Sequence, residues 1–73
     1  MDDRKREAFA RLAEKRTNAV LERIRLLGNL SNPYAYNYDL EDVRLIFSAI
    51  DKELKAARAK FQNHEKPQFR LPR

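Results

Sequence analysis

The chain has 73 residues, a net charge of +5 at pH 7 and no cysteine, and 37% of its residues are charged. A chain of this length forms one small domain that buries only about 60% of the surface exposed by its unfolded form. The composition excludes a disulfide scaffold and a cysteine-ligated metal site. Self-association or a bound partner therefore remains as the way to add stability to a small core.

The sequence carries no predicted secretory leader and no predicted membrane span. Residues 1–7 are mostly charged and lack the apolar run of a signal peptide. No uncharged apolar stretch approaches the length that crosses a bilayer. The lack of cysteine also fits a reducing compartment. We therefore expect a cytoplasmic protein without membrane contact.

Residues 3–27 predict the first helix, because they contain no proline or glycine and are rich in good helix formers. At 100° per residue, one apolar stripe with three flanking residues emerges. The stripe comprises Phe9, Ala13, Val20, Ile24 and Leu27, and its flanks comprise Leu12, Thr17 and Leu21. Gly28 follows and is predicted to end the helix in a left-handed conformation.

Basic residues on this helix have two interpretations each. Arg4, Arg11 and Lys15 share another face, which either follows a phosphate backbone or is simply solvated. Arg16 lies near the centre of the apolar stripe. Its stem either packs while the guanidinium reaches solvent, or it pairs with a carboxylate or with loop carbonyls across a helical hairpin.

An uncharged connector, residues 28–38, follows the first helix. Asn32 precedes Pro33, a combination that favours a turn. Tyr34, Tyr36 and Tyr38 alternate, so in an extended segment their rings would share one side. The rings either cap the open end of a helix pair, form a partner-facing patch or stack on bases. The connector is longer than most helix–helix links, which favours a role beyond joining.

Residues 40–62 predict the second helix. Asp39 and Asp42 resemble a capping box at its start. Apolar residues then recur at alternating steps of three and four, which is a heptad seam. The seam consists of Leu40, Val43, Phe47, Ile50, Leu54, Ala57 and Phe61, and Ile46 widens it.

The two seams together predict an all-α, antiparallel two-helix hairpin within residues 1–62. Small residues at the start of the first helix, Ala10 and Ala13, would then face the end that carries Phe61. Two helices leave Leu21, Leu26 and Ile46 uncovered, and exposed apolar patches usually mark interfaces. A homodimer forming a four-helix bundle would cover them, as would a different protein partner.

Residues 63–73 are predicted to form an extended or disordered basic tail, because they contain two prolines and lack a helical period. The tail is a docking peptide, a segment that folds over the bundle, or a frayed end. Arg70 and Arg73 are available for anions.

No catalytic, cofactor or metal site is predicted. The chain has one glycine, no cysteine nucleophile, and no serine or threonine near its single histidine, His64. The carboxylate and histidine spacing of di-iron bundles is absent. We expect neither an enzyme nor a small-molecule substrate.

The sequence resembles a group of small bacterial proteins of mobile elements and phages. The resemblance covers roughly residues 9–61. It is carried by Lys15-Arg16-Thr17, Leu26-Leu27-Gly28-Asn29, Ser31-Asn32, Tyr36, Tyr38, Asp42-Val43 and Ile46-Phe47. It implies a helical hairpin in a bacterial setting and no particular activity, because the group has no agreed one.

These observations predict a non-enzymatic protein–protein interaction or regulatory module. The predicted partner-binding residues are Tyr34, Tyr36, Tyr38, Leu26 and Ile46. The alternative is a small basic dimer that binds nucleic acid. The predicted nucleic-acid-binding residues are Arg4, Arg11, Lys15, Arg70 and Arg73.

Overall fold

The structure, a computed structural model, describes residues 3–65 and residue 71, and for residues 63–65 it describes the backbone alone. Helix α1 spans Asp3–Gly28, a short 3₁₀ helix spans Asn29–Ser31, and helix α2 spans Leu40–Glu65. No strand occurs among these residues, which confirms the all-α prediction. The chain divides into two units, Met1–Asn37 with α1 and Tyr38–Arg73 with α2.

The end of α1 differs from the prediction at Gly28. Its φ of −60° and ψ of −27° are right-handed helical values, and no described residue has a positive φ. The predicted left-handed termination is therefore wrong. The chain instead continues into the 3₁₀ helix, whose tighter hydrogen bonding can satisfy carbonyls at the end of an α-helix. Glycine permits a left-handed conformation but does not require it.

We expect Gly28→Ala to stabilise the protein by about 0.5–1 kcal/mol, because alanine restricts the unfolded chain and suits a right-handed helix better. A Cβ atom at this position would meet no heavy atom within 4 Å, so no steric cost opposes the gain. Thermal unfolding followed by circular dichroism measures the change. A lower unfolding temperature would indicate that Gly28 adopts a left-handed conformation in solution.

Asn32 organises the connector through its backbone and its side chain. It is extended, with φ −67° and ψ 107°, as expected before a proline. Its carbonyl oxygen accepts hydrogen bonds from the backbone N–H of Ala35 at 3.2 Å and of Tyr36 at 3.1 Å. Its Oδ1 atom accepts a third from the backbone N–H of Tyr34 at 3.0 Å. Residues 33–35 consequently form a turn, which confirms the turn predicted at Asn32 and Pro33.

The start of α2 confirms the predicted capping box. Asp39 Oδ1 accepts a hydrogen bond from the backbone N–H of Asp42 at 2.8 Å, and Asp42 Oδ2 accepts one from the backbone N–H of Asp39 at 3.1 Å. The Val43 N–H donates to the Asp39 carbonyl at 3.3 Å. Two backbone donors that the helix itself cannot satisfy thus find carboxylate acceptors.

Asp39→Ala should destabilise α2 by about 1 kcal/mol, because the Asp42 N–H loses its acceptor at the N-cap. Asp39→Ser is the matched control, since a serine hydroxyl also caps well. Denaturant unfolding of both variants, followed by circular dichroism, gives the two free energies. An equal loss in the serine variant would mean that the cap is not what Asp39 supplies.

Helix α2 ends later than predicted, at Glu65 rather than residue 62. Residues 63–65 therefore belong to the helix and not to an extended tail. The nearest helix-breaking residue is Pro67, and helices usually end before the residue that precedes a proline. Leu71 has no regular secondary structure and is exposed. The rest of the predicted tail, including Arg70 and Arg73, lies outside the described residues.

Candidate protein interface

The apolar stripe of α1 is open to solvent along its length. Phe9 and Val20 are each 50% exposed, whereas Ala13 and Leu27 are half-buried. At 100° per residue these side chains and Ile24 lie within an arc of about 60°. No side chain among those the structure describes is buried, so the stripe is an uncovered surface of α1.

The seam of α2 is similarly uncovered. Phe47 and Leu54 remain exposed, and Val43 and Ile50 are half-buried. Phe61, near the C-terminal end, is 62% exposed. Each helix therefore presents a row of large apolar side chains, of the kind that normally packs against another helix.

The predicted flank residues Leu26 and Ile46 are exposed at 48% and 39%, on α1 and α2 respectively. Sequence reasoning missed Leu45, which is 54% exposed. Leu45 lies outside the heptad seam. The available signal was a large apolar residue at a position of the helical wheel that the seam does not cover.

The three connector tyrosines differ in environment. Tyr34 is 98% exposed, Tyr36 is 51% exposed and Tyr38 is 41% exposed. The Asn32-centred turn holds Tyr34 away from other side chains, so its ring does not cap a core within its own unit. Tyr34 and Tyr36 belong to the first unit, whereas Tyr38 belongs to the second.

The predicted basic row on α1 is solvent-exposed. Arg4, Arg11 and Lys15 lie within an arc of about 40° at 100° per residue. Ion pairs elsewhere in the chain include Arg25 with Glu22 and Arg44 with Glu41. The row is thus accessible to a large anion.

The Glu41–Arg44 pair is bidentate. Arg44 Nε donates to Glu41 Oε2 at 2.9 Å, and Arg44 Nη2 donates to Oε1. This pairing lowers the pKa of Glu41 and raises the pKa of Arg44. A lowered carboxyl pKa stabilises the fold above the pKa of the unfolded chain, and the benefit is lost as the pH falls through the folded value. Because both side chains are exposed, the pair mainly orients Arg44.

An open groove of about 560 Å³ runs along one face of α2. Its lining combines three cations, one carboxylate, one hydroxyl and one aromatic ring. These residues are Arg44, Phe47, Ser48, Asp51, Lys52 and Lys55. The groove adjoins the seam at Phe47, and its net positive charge gives this flank of α2 an electrostatic preference for carboxylates.

The described residues contain no group of three or more His, Cys, Asp or Glu side chains that could hold a metal ion. Neither described helix is long and apolar enough to cross a membrane. Comparison with protein-family models, curated proteins and solved structures found no match.

Proposed function

We propose that the protein is a non-enzymatic, cytoplasmic protein–protein interaction module with a regulatory role. It binds through the apolar faces of its helices and through the tyrosine-bearing connector. One observation carries this proposal: each helix presents an uncovered apolar row, while no described side chain is buried. Exposed apolar surface of this extent marks an interface in a soluble chain.

The charges beside each seam support antiparallel pairing of α1 with α2. On one side, α1 has a net negative charge from Asp3, Glu7 and Glu14 with the single cation Arg25. The corresponding side of α2 has a net positive charge and includes the groove. It carries Arg44, Lys55 and Arg58 with the single carboxylate Asp51. Antiparallel pairing brings corresponding sides together, whereas parallel pairing brings opposite sides together. Flanking charges select helix orientation in this way.

The other sides of the two seams show the reverse pattern. Lys5, Arg16 and Arg23 form the cationic flank of α1. Asp42 and Glu53 form the carboxylate flank of α2, which also carries Lys60. Antiparallel neighbours therefore meet opposite net charge on either side of the seam, whether the two helices belong to one chain or to two, whereas parallel neighbours meet like net charge. We therefore propose that α1 and α2 form an antiparallel hairpin and that two such hairpins form a four-helix bundle.

Sedimentation equilibrium at low micromolar concentration tests the self-association. The expected species contains two chains, because pairing two hairpins covers the flank residues that one hairpin leaves open. A well-folded single chain at this concentration would contradict the dimer. The interaction function would then depend on a different protein as partner.

The second candidate function is nucleic-acid binding, which the exposed row of Arg4, Arg11 and Lys15 favours. Phosphate contacts release counterions, so affinity for duplex DNA should fall steeply between about 50 and 200 mM salt. Arg11→Gln with Lys15→Gln should weaken binding. The slope of log affinity against log salt concentration should also fall by about two, because two phosphate contacts are lost. Absence of binding at low salt would remove this candidate.

A further inference from the structure

A second apolar strip on α1 lies apart from its main stripe. It consists of Leu12, Ala19 and Leu26, and its centre is about 110° from the stripe at 100° per residue. Leu12 is 36% exposed and Leu26 is 48% exposed. The cationic flank lies between the strip and the stripe, so any surface covering the strip also meets Arg16 and Arg23.

Helix α2 carries a matching surface of opposite charge. Ile46, 39% exposed, lies beside the seam, and Ala49 continues the apolar area. The carboxylate flank, Asp42 and Glu53, borders both residues. The capping box fixes the Asp42 carboxylate through its hydrogen bond from Asp39. Within the described part of the chain, Glu53 forms no ion pair, and neither do Arg16 and Arg23.

We propose that a second copy of this chain docks here, with the cationic flank of α1 against the carboxylate flank of α2 from the other copy. This inference rests on the proposed function and specifies its partner. Leu26 of one copy packs near Ile46 of the other, and Arg16 and Arg23 pair with Glu53 and Asp42. Symmetry forms the contact twice.

The charges also exclude simpler arrangements of two copies. Two α1 helices packed antiparallel through this flank would bring cations against cations, which costs several kcal/mol when they are close. Two α2 helices packed in the same way would oppose their carboxylates. The arrangement that matches apolar residues and charges together is α1 of one copy with α2 of the other.

The flank that carries the uncovered apolar residues is the one assigned to the second copy. Leu12, Leu26 and Ile46 all lie on the cationic and carboxylate side, whereas the acidic side of α1 adds only Leu21. The acidic side and the basic groove of α2 are therefore assigned to pairing within one chain. Each helix then has one neighbour from its own chain and one from the other.

Charge reversal in separate chains tests this assignment. Variant one is Arg16→Glu, and variant two is Glu53→Arg. Each alone should self-associate about 10- to 100-fold more weakly than the wild type, because both symmetry-related contacts then oppose like charges. Mixed in equal amounts, the two should form a dimer of near wild-type affinity, which native mass spectrometry identifies and sedimentation equilibrium quantifies.

The mixture separates contacts between chains from contacts within one chain. If the double variant carrying both changes dimerises but the mixture does not, the ion pair lies within one chain and the inference fails. It also fails if neither variant is weakened. Arg11→Glu is the matched control for added negative charge and should associate normally. A monomeric wild type would instead count against the proposed self-association itself.

Discussion

Ile50→Asp should convert the protein into a poorly helical single chain at low micromolar concentration. Ile50 lies midway along the seam of α2 and is half-buried in the isolated chain. Burying one isoleucine side chain contributes about 1.5–3 kcal/mol, so a dimer loses about 3–6 kcal/mol when both are removed. Association should weaken about a hundredfold to ten-thousandfold. Helicity should fall as well, because isolated helices are marginal in water.

Two variants control for the charge and for the shape of this change. Ala56→Asp introduces the same carboxylate at an exposed position off the seam and should leave association nearly unchanged. Ile50→Leu keeps the volume and should cost less than about 1.5 kcal/mol. Circular dichroism across a dilution series, with sedimentation equilibrium, provides the measurement. Full helicity and association in Ile50→Asp would show that the seam is not the interface.

Tyr34→Ala should remove binding of a protein partner while leaving the fold intact. The side chain is 98% exposed, so its removal should change the free energy of unfolding by less than about 0.5 kcal/mol. A tyrosine that anchors an interface costs about 2 kcal/mol or more when truncated, equivalent to about 30-fold in affinity. The ordered turn around Asn32 favours this role, because a backbone already held by hydrogen bonds loses less entropy on binding.

The measurement is an affinity pull-down from the native host with quantified recovery, accompanied by thermal unfolding of each variant. Tyr34→Phe keeps the ring and isolates the contribution of the hydroxyl. The triple change of Tyr34, Tyr36 and Tyr38 to Ser extends the test to the whole connector. Retained partners combined with lowered stability would make the rings structural and would contradict the binding role.

Much of the helical structure follows from local patterns in the sequence. The heptad spacing from Leu40 to Phe61 predicts α2, and the reciprocal bonds of Asp39 and Asp42 confirm its predicted start. Such patterns are reliable because they depend on neighbours three or four residues away, which the chain itself supplies. Part of the candidate interface also follows from the sequence, since Leu26 and Ile46 were predicted from their positions on the helical wheel.

The errors lie where several local conformations are close in energy. Gly28 can adopt right- or left-handed backbone angles at similar cost, and sequence reasoning chose the wrong one. The alternation of tyrosines leaves the arrangement of their rings open, and the three hydrogen bonds accepted by Asn32 place Tyr34 in a turn. The end of α2 was placed too early because the apolar period stops at Phe61, whereas polar residues can continue a helix.

The uncharged connector between the helices separates what the sequence determines from what the three-dimensional structure adds. By itself, the sequence determined two amphipathic helices, the cap at Asp39 and a turn at Pro33, because these follow from spacing and backbone sterics. Only the three-dimensional structure decided that Tyr34 stands fully exposed while Tyr36 and Tyr38 are half-covered. Exposure depends on how the backbone folds around each ring, and around Tyr34 and Tyr36 that backbone is set by the hydrogen bonds that Asn32 accepts.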